Sequence, residues 1–286
     1  MNMLAVFPIL NLLNAKKMKT IIVATDFSAE ADHAMTYAAA AAAERGYKLV
    51  LYNLYNTSIH AMNARVSGSE MDKISTWRRD KLKEIAELIS GIYHIKTDIH
   101  FASGDFYEEL VDCIHLHSAD LLVMGMPEKS LEQDLLGNTT TQVIDRLKFP
   151  ILSVPLQAQY KGIKHILFAC DIARGVHAKI LNDVKVLAKD FGATVEVFHV
   201  RQRAEDLSNS EELNLVDHSL AQVDHFYKQV QSSKIIKAIE DEIIASQTDL
   251  LVMVPYRHGF WDSLLRKSKT RVMASGNSVP LLSLPL

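Results

Sequence analysis

The sequence predicts an α/β protein built from two tandem doubly wound domains, each a five-stranded parallel sheet with helices on both faces. Three observations carry that prediction. Short apolar runs alternate with helix-length stretches, as right-handed βαβ crossovers require. The alternation is written twice along the chain. The 286 residues, 48% of them hydrophobic, can also bury a sizeable core, and the length fits about two domains.

The repeat is visible in three places. Thr20-Ile21-Ile22-Val23-Ala24-Thr25-Asp26 matches His165-Ile166-Leu167-Phe168-Ala169-Cys170-Asp171 at a distance of 145 residues. Asp120-Leu121-Leu122-Val123-Met124 matches Asp249-Leu250-Leu251-Val252-Met253 at 129. Pro150 to Pro155 matches Pro280 to Pro285 at 130. The copies therefore correspond from end to end, with about 16 residues missing between Arg201 and Ala221 of the second, so its second helix is expected to be short. The polar stretch Gln157 to Gly162 separates the copies and sets the domains at 18–156 and 162–286. Two similar copies in one chain predict a pseudo-twofold intramolecular dimer.

In the first copy, Ile21–Ala24, Lys48–Leu54, Leu121–Met124 and Ile151–Val154 are short apolar runs, as buried parallel strands are. Ile95–Phe101 alternates, as a strand with a more exposed face would. Ser28 suits an N-cap for a helix that ends at Arg45, before Gly46, and its alanine-rich middle suits close packing. Further helices are expected over Met71–Ser90, Asp105–His117 and Thr139–Leu147. The second copy should place strands at Ile166–Ala169, Val195–Val200, Val223–Val230, Leu250–Val254 and Leu281–Leu284.

Composition narrows the function classes. A net charge of -3 gives no reason to expect a nucleic-acid partner. The two cysteines, Cys113 and Cys170, are far apart, which argues against a disulfide framework and fits a reducing, cytoplasmic setting. Residues 1–17 read as an N-terminal extension. Its apolar run, Met3–Leu13, is too short to span a bilayer and lacks the basic start and cleavage site of a signal peptide. The alternative for it is a short apolar arm that packs on the protein or a partner.

Ligands of open parallel sheets bind beyond the carboxyl ends of the strands, where strand order reverses. In the first copy those ends are Thr25-Asp26-Phe27, Leu54-Tyr55 and Gly125-Met126. Asp26 can accept hydrogen bonds from a ligand's amino or hydroxyl groups, and it can equally cap the helix that follows. By position alone the two readings stand level.

The run V-A-T-D-F-S after a short strand, the Gly104-Asp105 pair before a helix, D-L-L-V-M-G, and the segment from L-L-G-N-T-T-T-Q-V-I to P-I-L-S-V-P together resemble the universal stress protein family, here in tandem. The resemblance covers nearly all of the chain beyond Met18. It implies a stress-response protein that binds an adenine nucleotide, ATP or AMP, in its N-terminal half, with Mg²⁺ accompanying ATP. Thr25 and Asp26 would meet the adenine and ribose, with the backbone near Leu54 fixing the base. The family's phosphate loop has the form G-x2-G-x9-G-S/T, in which glycines permit close backbone approach and a helix start supplies partial positive charge. Gly125 fits its first glycine and Gly137 its last, and Gly125, Gly137, Asn138 and Thr139 would take the phosphates. Glu128 stands where the second glycine belongs, the stretch that follows it is eight residues instead of nine, and Asn138 replaces the Ser or Thr. The capping alternative is that Gly137 and Asn138 merely open a helix at Thr139.

The second copy departs further. Asp171 keeps the strand-end carboxylate, but Val254 stands where Gly125 does, and Arg266-Lys267 where Gly137-Asn138 do. Its cations, Arg257, His258, Arg266, Lys267, Lys269 and Arg271, read as a solvated or ion-paired face. Cys113 and His117 are i,i+4 on a helix, yet no second cluster in sequence completes a tetrahedral set, so they read as helix packing with surface histidine and no metal is expected. The stretch Trp77 to Lys81 reads as a solvated helix face. No G-x-S-x-G elbow and no P-loop signature occur, which argues against an α/β-hydrolase and a P-loop NTPase. The expected function is a sensor or regulator without efficient catalysis. A fold of the same family that works through an unidentified protein partner without nucleotide is one alternative. A slow ATPase, or a protein that phosphorylates itself on Thr139 to Thr141, is another. A homodimer of the whole chain is compatible with each.

Overall fold

The computed structural model of the chain describes residues 19–55, 68–126, 139–171, 177–201, 210–254 and 279–286. They fall into two compact α/β units, one within 16–125 and the other within 126–286.

The first unit runs β1 (Thr20–Ala24), α1 (Ala29–Arg45), β2 (Lys48–Leu54), α2 (Gly68–Tyr93), β3 (Thr97–Ala102), α3 (Phe106–His117) and β4 (Leu121–Met126). Its strands lie in the order β3-β2-β1-β4 and all run parallel. The chain steps outward from β1 to β2 and β3, then returns to the far side of β1 for β4. Strand order therefore reverses between β1 and β4, which is where a ligand crevice belongs in this architecture.

Adjacent residues of β3 show how the two faces are covered. His100 turns toward α3, its Nδ1 3.3 Å from His117 Nε2. Its neighbour Phe101 turns toward α2 and lies 5.2 Å below the Arg79 guanidinium. This is the period-two alternation of a strand with a helix on either side. Against β1 and β2, α1 buries Ala31, Ala34, Ala38, Ala39, Ala41 and Ala42, small side chains that let the helix lie close. Gly46 ends it at φ 67°, with its N–H on the Ala42 carbonyl, a left-handed cap that glycine adopts without a Cβ penalty.

In the second unit, α4 (Thr139–Arg146) and β5 (Ile151–Pro155) precede β6 (His165–Ala169), α5 (Ala178–Phe191), β7 (Thr194–Arg201), α6 (Ser210–Ser219), β8 (His225–Gln231), α7 (Ile235–Ala245), β9 (Leu250–Met253) and β10 (Leu281–Ser283). The order is β5-β10-β9-β6-β7-β8, parallel except where β10 meets β5. That antiparallel pair joins Leu281 to Ser153, Leu282 to Leu152 and Ser283 to Ile151. Leu152 and Leu282 are the same position of the repeat, so this pair is self-matched, as a local twofold demands. The core on one face packs α7, through Ile239 and Ile243, on Leu167, Phe198, Leu251 and Met253.

The second helix of the second copy is short among the described residues. With 26 residues in α2 and 10 in α6, the helices differ by the 16 residues that the sequence comparison found missing. β8 begins at His225, two residues inside its expected start, because Val223 still belongs to the turn that leaves α6.

Candidate functional site

The turn that leaves β1 is the best-defined part of the site. Thr25 is buried. Its N–H donates to the Tyr52 carbonyl at 2.9 Å, and its own carbonyl accepts the Asn53 amide at 2.6 Å. Its hydroxyl oxygen then accepts the Phe27 N–H at 3.0 Å. These bonds hold Phe27 at φ 69°, a left-handed conformation that costs a residue with a side chain about 1–2 kcal/mol.

Between Thr25 and Phe27 stands Asp26, exposed to solvent, with Oδ1 accepting the Ser28 N–H at 3.0 Å. The cap of α1 is Ser28, whose hydroxyl oxygen accepts the Ala31 N–H at 3.3 Å. Of the two readings of Asp26, the capping one is thus taken over by the serine two residues on. Glu30 and Asp32 sit in the first turn of α1, where negative charge complements the helix dipole.

Gly125 closes β4 beside that first turn. A Cβ at this position would lie 2.5 Å from the carbonyl carbon and oxygen of Glu30 and 2.9 Å from the Ala31 nitrogen. The glycine is therefore required by backbone packing, whatever else it does. Leu54, half-buried, ends β2 opposite Ala102. The first unit accordingly gathers Thr25, Asp26, Leu54 and Gly125 at the carboxyl ends of β1, β2 and β4. Thr139 is exposed at the start of α4 in the second unit, followed by buried Thr140. Glu128, Gly137 and Asn138 lie outside the described residues, as do the cations from Arg257 to Arg271.

Three contributors went unread in the sequence. Asn53 anchors the turn from inside β2, and an Asn in an otherwise apolar run is the signal that could have found it. Arg78 and Lys81 are the others. The Lys81 ammonium lies 4.5 Å from the centre of the Phe27 ring, and the Arg78 guanidinium lies 5.7 Å from that ring and 5.9 Å from Tyr55. The helix face expected to be merely solvated thus carries two cations to the residue after Asp26.

The matching family model is that of the universal stress protein family, over residues 17–155. Residues 17–155 thus form a domain of the universal stress protein family. The fold likeness extends over both units. A crystallised universal stress protein from Archaeoglobus fulgidus DSM 4304 aligns with TM-score 0.72 at 16% identity, over 93% of this chain and 96% of its own. A putative universal stress protein from Pseudomonas aeruginosa UCBPP-PA14 aligns with TM-score 0.59 at 14% identity, over 94% of this chain and 93% of its own. A protein of unknown function from Pseudomonas aeruginosa PAO1 gives TM-score 0.57 at 14% identity, over 94% and 92%. No curated protein matches the sequence closely. Among the described residues no helix is long and apolar enough to cross a membrane.

Around the stress-protein turn, the second copy has been rebuilt. Asp171 follows Cys170 as Asp26 follows Thr25, but its neighbour is the buried His199, whose Nδ1 lies 3.2 Å from the Cys170 carbonyl and 3.9 Å from Asp171 Oδ1. Burial pushes the Cys170 thiol well above its ordinary range, so it stays protonated. One turn of strand earlier, Glu196 is wholly buried and sits 2.9 Å from His165 Nε2. Burial raises its carboxyl, and the nearby Glu242 raises it further while the His165 bond opposes. Glu242 is itself held by Lys228 at 2.6 Å.

Proposed function

We propose that the first unit binds an adenine nucleotide, ATP or AMP, and that the protein acts in the cytoplasm as a stress sensor or regulator without efficient catalysis. One observation carries the reading: an exposed carboxylate, Asp26, stands at the switch point of the sheet in a turn fixed on both sides, while Ser28 does the capping. A fixed acceptor suits a ribose hydroxyl or an adenine amino group, since little freedom is lost on binding. Leu54 and its backbone would border the base. Gly125, Gly137, Asn138 and Thr139 would meet the phosphates, and Mg²⁺ would accompany them when ATP is bound. Arg78 and Lys81 bring positive charge to the same end of the sheet, which favours an anionic ligand.

The experiment is to denature the purified protein, chromatograph the supernatant for nucleotide, and follow the melting temperature with millimolar Mg-ATP and with AMP. Bound nucleotide and a rise in melting temperature are expected, both lost in Asp26→Ala and in Gly137→Val. Absence of both in the wild-type chain would overturn the proposal. That outcome favours the second reading, a stress protein that works through protein contacts alone, which Glu128 at the place of a phosphate-loop glycine supports. Phosphate release or labelling of Thr139 to Thr141 that both substitutions abolish would instead favour slow ATP hydrolysis or self-phosphorylation.

A further inference from the structure

On the face of the first unit covered by α3, three metal-ligating side chains converge: His100 from β3, and Cys113 and His117 one turn apart on α3. Their donor atoms all lie within 4.8 Å of one another. Cys113 is buried and the two imidazoles are half-buried. The cluster faces away from α2, because β3 turns His100 and Phe101 to opposite sides. It is independent of the Asp26 turn and of the nucleotide reading.

We propose that His100, Cys113 and His117 bind a divalent ion of the zinc class, with a water molecule in the fourth position. The distances suit the ion. Two nitrogens about 2.0–2.1 Å from a tetrahedral zinc lie about 3.3–3.4 Å apart. His100 Nδ1 and His117 Nε2 are 3.3 Å apart, at the long end of the range for an N–H···N bond and at the tetrahedral edge. The sulfur, within 4.8 Å of both nitrogens, would have to close to about 3.6 Å of each around a tetrahedral zinc. A two-histidine, one-thiolate set selects a borderline ion over magnesium or calcium, which take oxygen ligands.

Glu109 and Asp112 lie close enough to His100 to act on it with negative charge, whereas at His117 the nearby Lys48 outweighs Asp98. His117 also occupies the last turn of α3, the negative end of its dipole. Tyr52 supplies an independent sign. It is 1% exposed, its ring stacks 5.8 Å from that of His100, and its hydroxyl is buried without a hydrogen-bond partner among the described residues. A buried hydroxyl left unbonded is destabilising. Cys113 is near enough to act on Tyr52 electrostatically, so the unbonded hydroxyl borders the cluster.

The ion would clip the edge strand β3 to α3. The test uses the full-length chain, stripped with a chelator, and titrates Zn²⁺ against a chromophoric competitor; Co²⁺ serves as the spectroscopic probe. One equivalent per chain should bind, with a thiolate-to-cobalt charge-transfer band and a raised melting temperature. Cys113→Ser should abolish the band, and His100→Gln or His117→Gln should weaken binding about a hundredfold or more, since outer-shell partners alone are worth about 10–100-fold. Tyr52→Phe should keep the stoichiometry, shift the band and weaken binding about tenfold. Circular dichroism checks that each variant folds; should Cys113→Ser not fold, the two histidine variants decide. No stoichiometric binding to the wild-type chain, or binding that both histidine variants retain at full strength, overturns the site.

Discussion

The two copies of the fold solve one junction in opposite ways. In the first, four residues, 25–28, connect β1 to α1, and the helix starts so close to β4 that only a glycine fits at position 125. In the second, eight residues, 170–177, connect β6 to α5. The helices end alike, on Gly46 at φ 67° and Gly192 at φ 62°. With their ends aligned, α5 begins about one turn later than α1, at 14 residues against 17. The place of Gly125 is taken by Val254, which is buried. A later helix start is compatible with a side chain at the strand end, and Val254 is buried there. The pair teaches that the residue tolerated at the strand end follows where the first helix starts.

Substitutions at the matched positions should separate the copies, and the largest effect belongs to Gly125→Val. Its side chain would meet the backbone of Glu30, which cannot rotate away, so a loss of about 3 kcal/mol is expected in urea unfolding. Val254→Ala, which only empties space, should cost about 2 kcal/mol. A smaller loss from the glycine variant than from the valine variant would break the comparison.

Next comes the buried pair that only the second copy carries. Val50, fully buried in β2, corresponds to Glu196 in β7, and Thr20 corresponds to His165. Replacing Glu196 and His165 together by Val and Thr should stabilise the chain at neutral pH by about 1 kcal/mol or leave it unchanged, because a buried polar pair seldom outperforms apolar packing. Of comparable size is the cap. Ser28→Ala should cost about 1 kcal/mol, whereas His177→Ala at the start of α5 should cost almost nothing, since His177 makes no side-chain cap bond.

The smallest effect is a slope. Burial holds the Glu196 carboxyl above its ordinary value of 4.5, so the folded chain binds its proton more tightly than the unfolded chain does. That contribution is fully present below 4.5 and is lost as pH rises through the raised value. Stability measured from pH 4.5 upward should therefore fall more in the wild-type chain than in Glu196→Gln. Parallel curves would show that the carboxyl titrates normally.

Much of this was readable in the sequence. The repeat gave the strands and the short α6, because both are consequences of local pattern and constant offset, but not the antiparallel pairing of Leu152 with Leu282. What could not be read depends on contacts across the fold. Ser28 and Asp26 have similar capping tendencies, and only the path of the backbone decides between them. Gly125 fits a phosphate loop and a tight helix contact equally well until Glu30 is seen beside it. Cys113 and His117 lacked a third donor because His100 lies in a separate strand, brought to them by a crossover and turned toward them by the pleat. Arg78 and Lys81 looked solvated because a helix pattern alone does not say what lies under its long side chains.

The antiparallel pairing of β5 with β10 means that the boundary of the repeat is not a safe place to cut. β5 belongs to the first copy by sequence, yet it hydrogen-bonds within the compact unit of the second. A fragment beginning at Gly162 would leave β10 with its ladder unfilled on one side, over the apolar Leu281 and Leu282, an open template for another chain. Such a fragment is expected to self-associate, and a synthetic peptide of β5 added in trans to compete with that association.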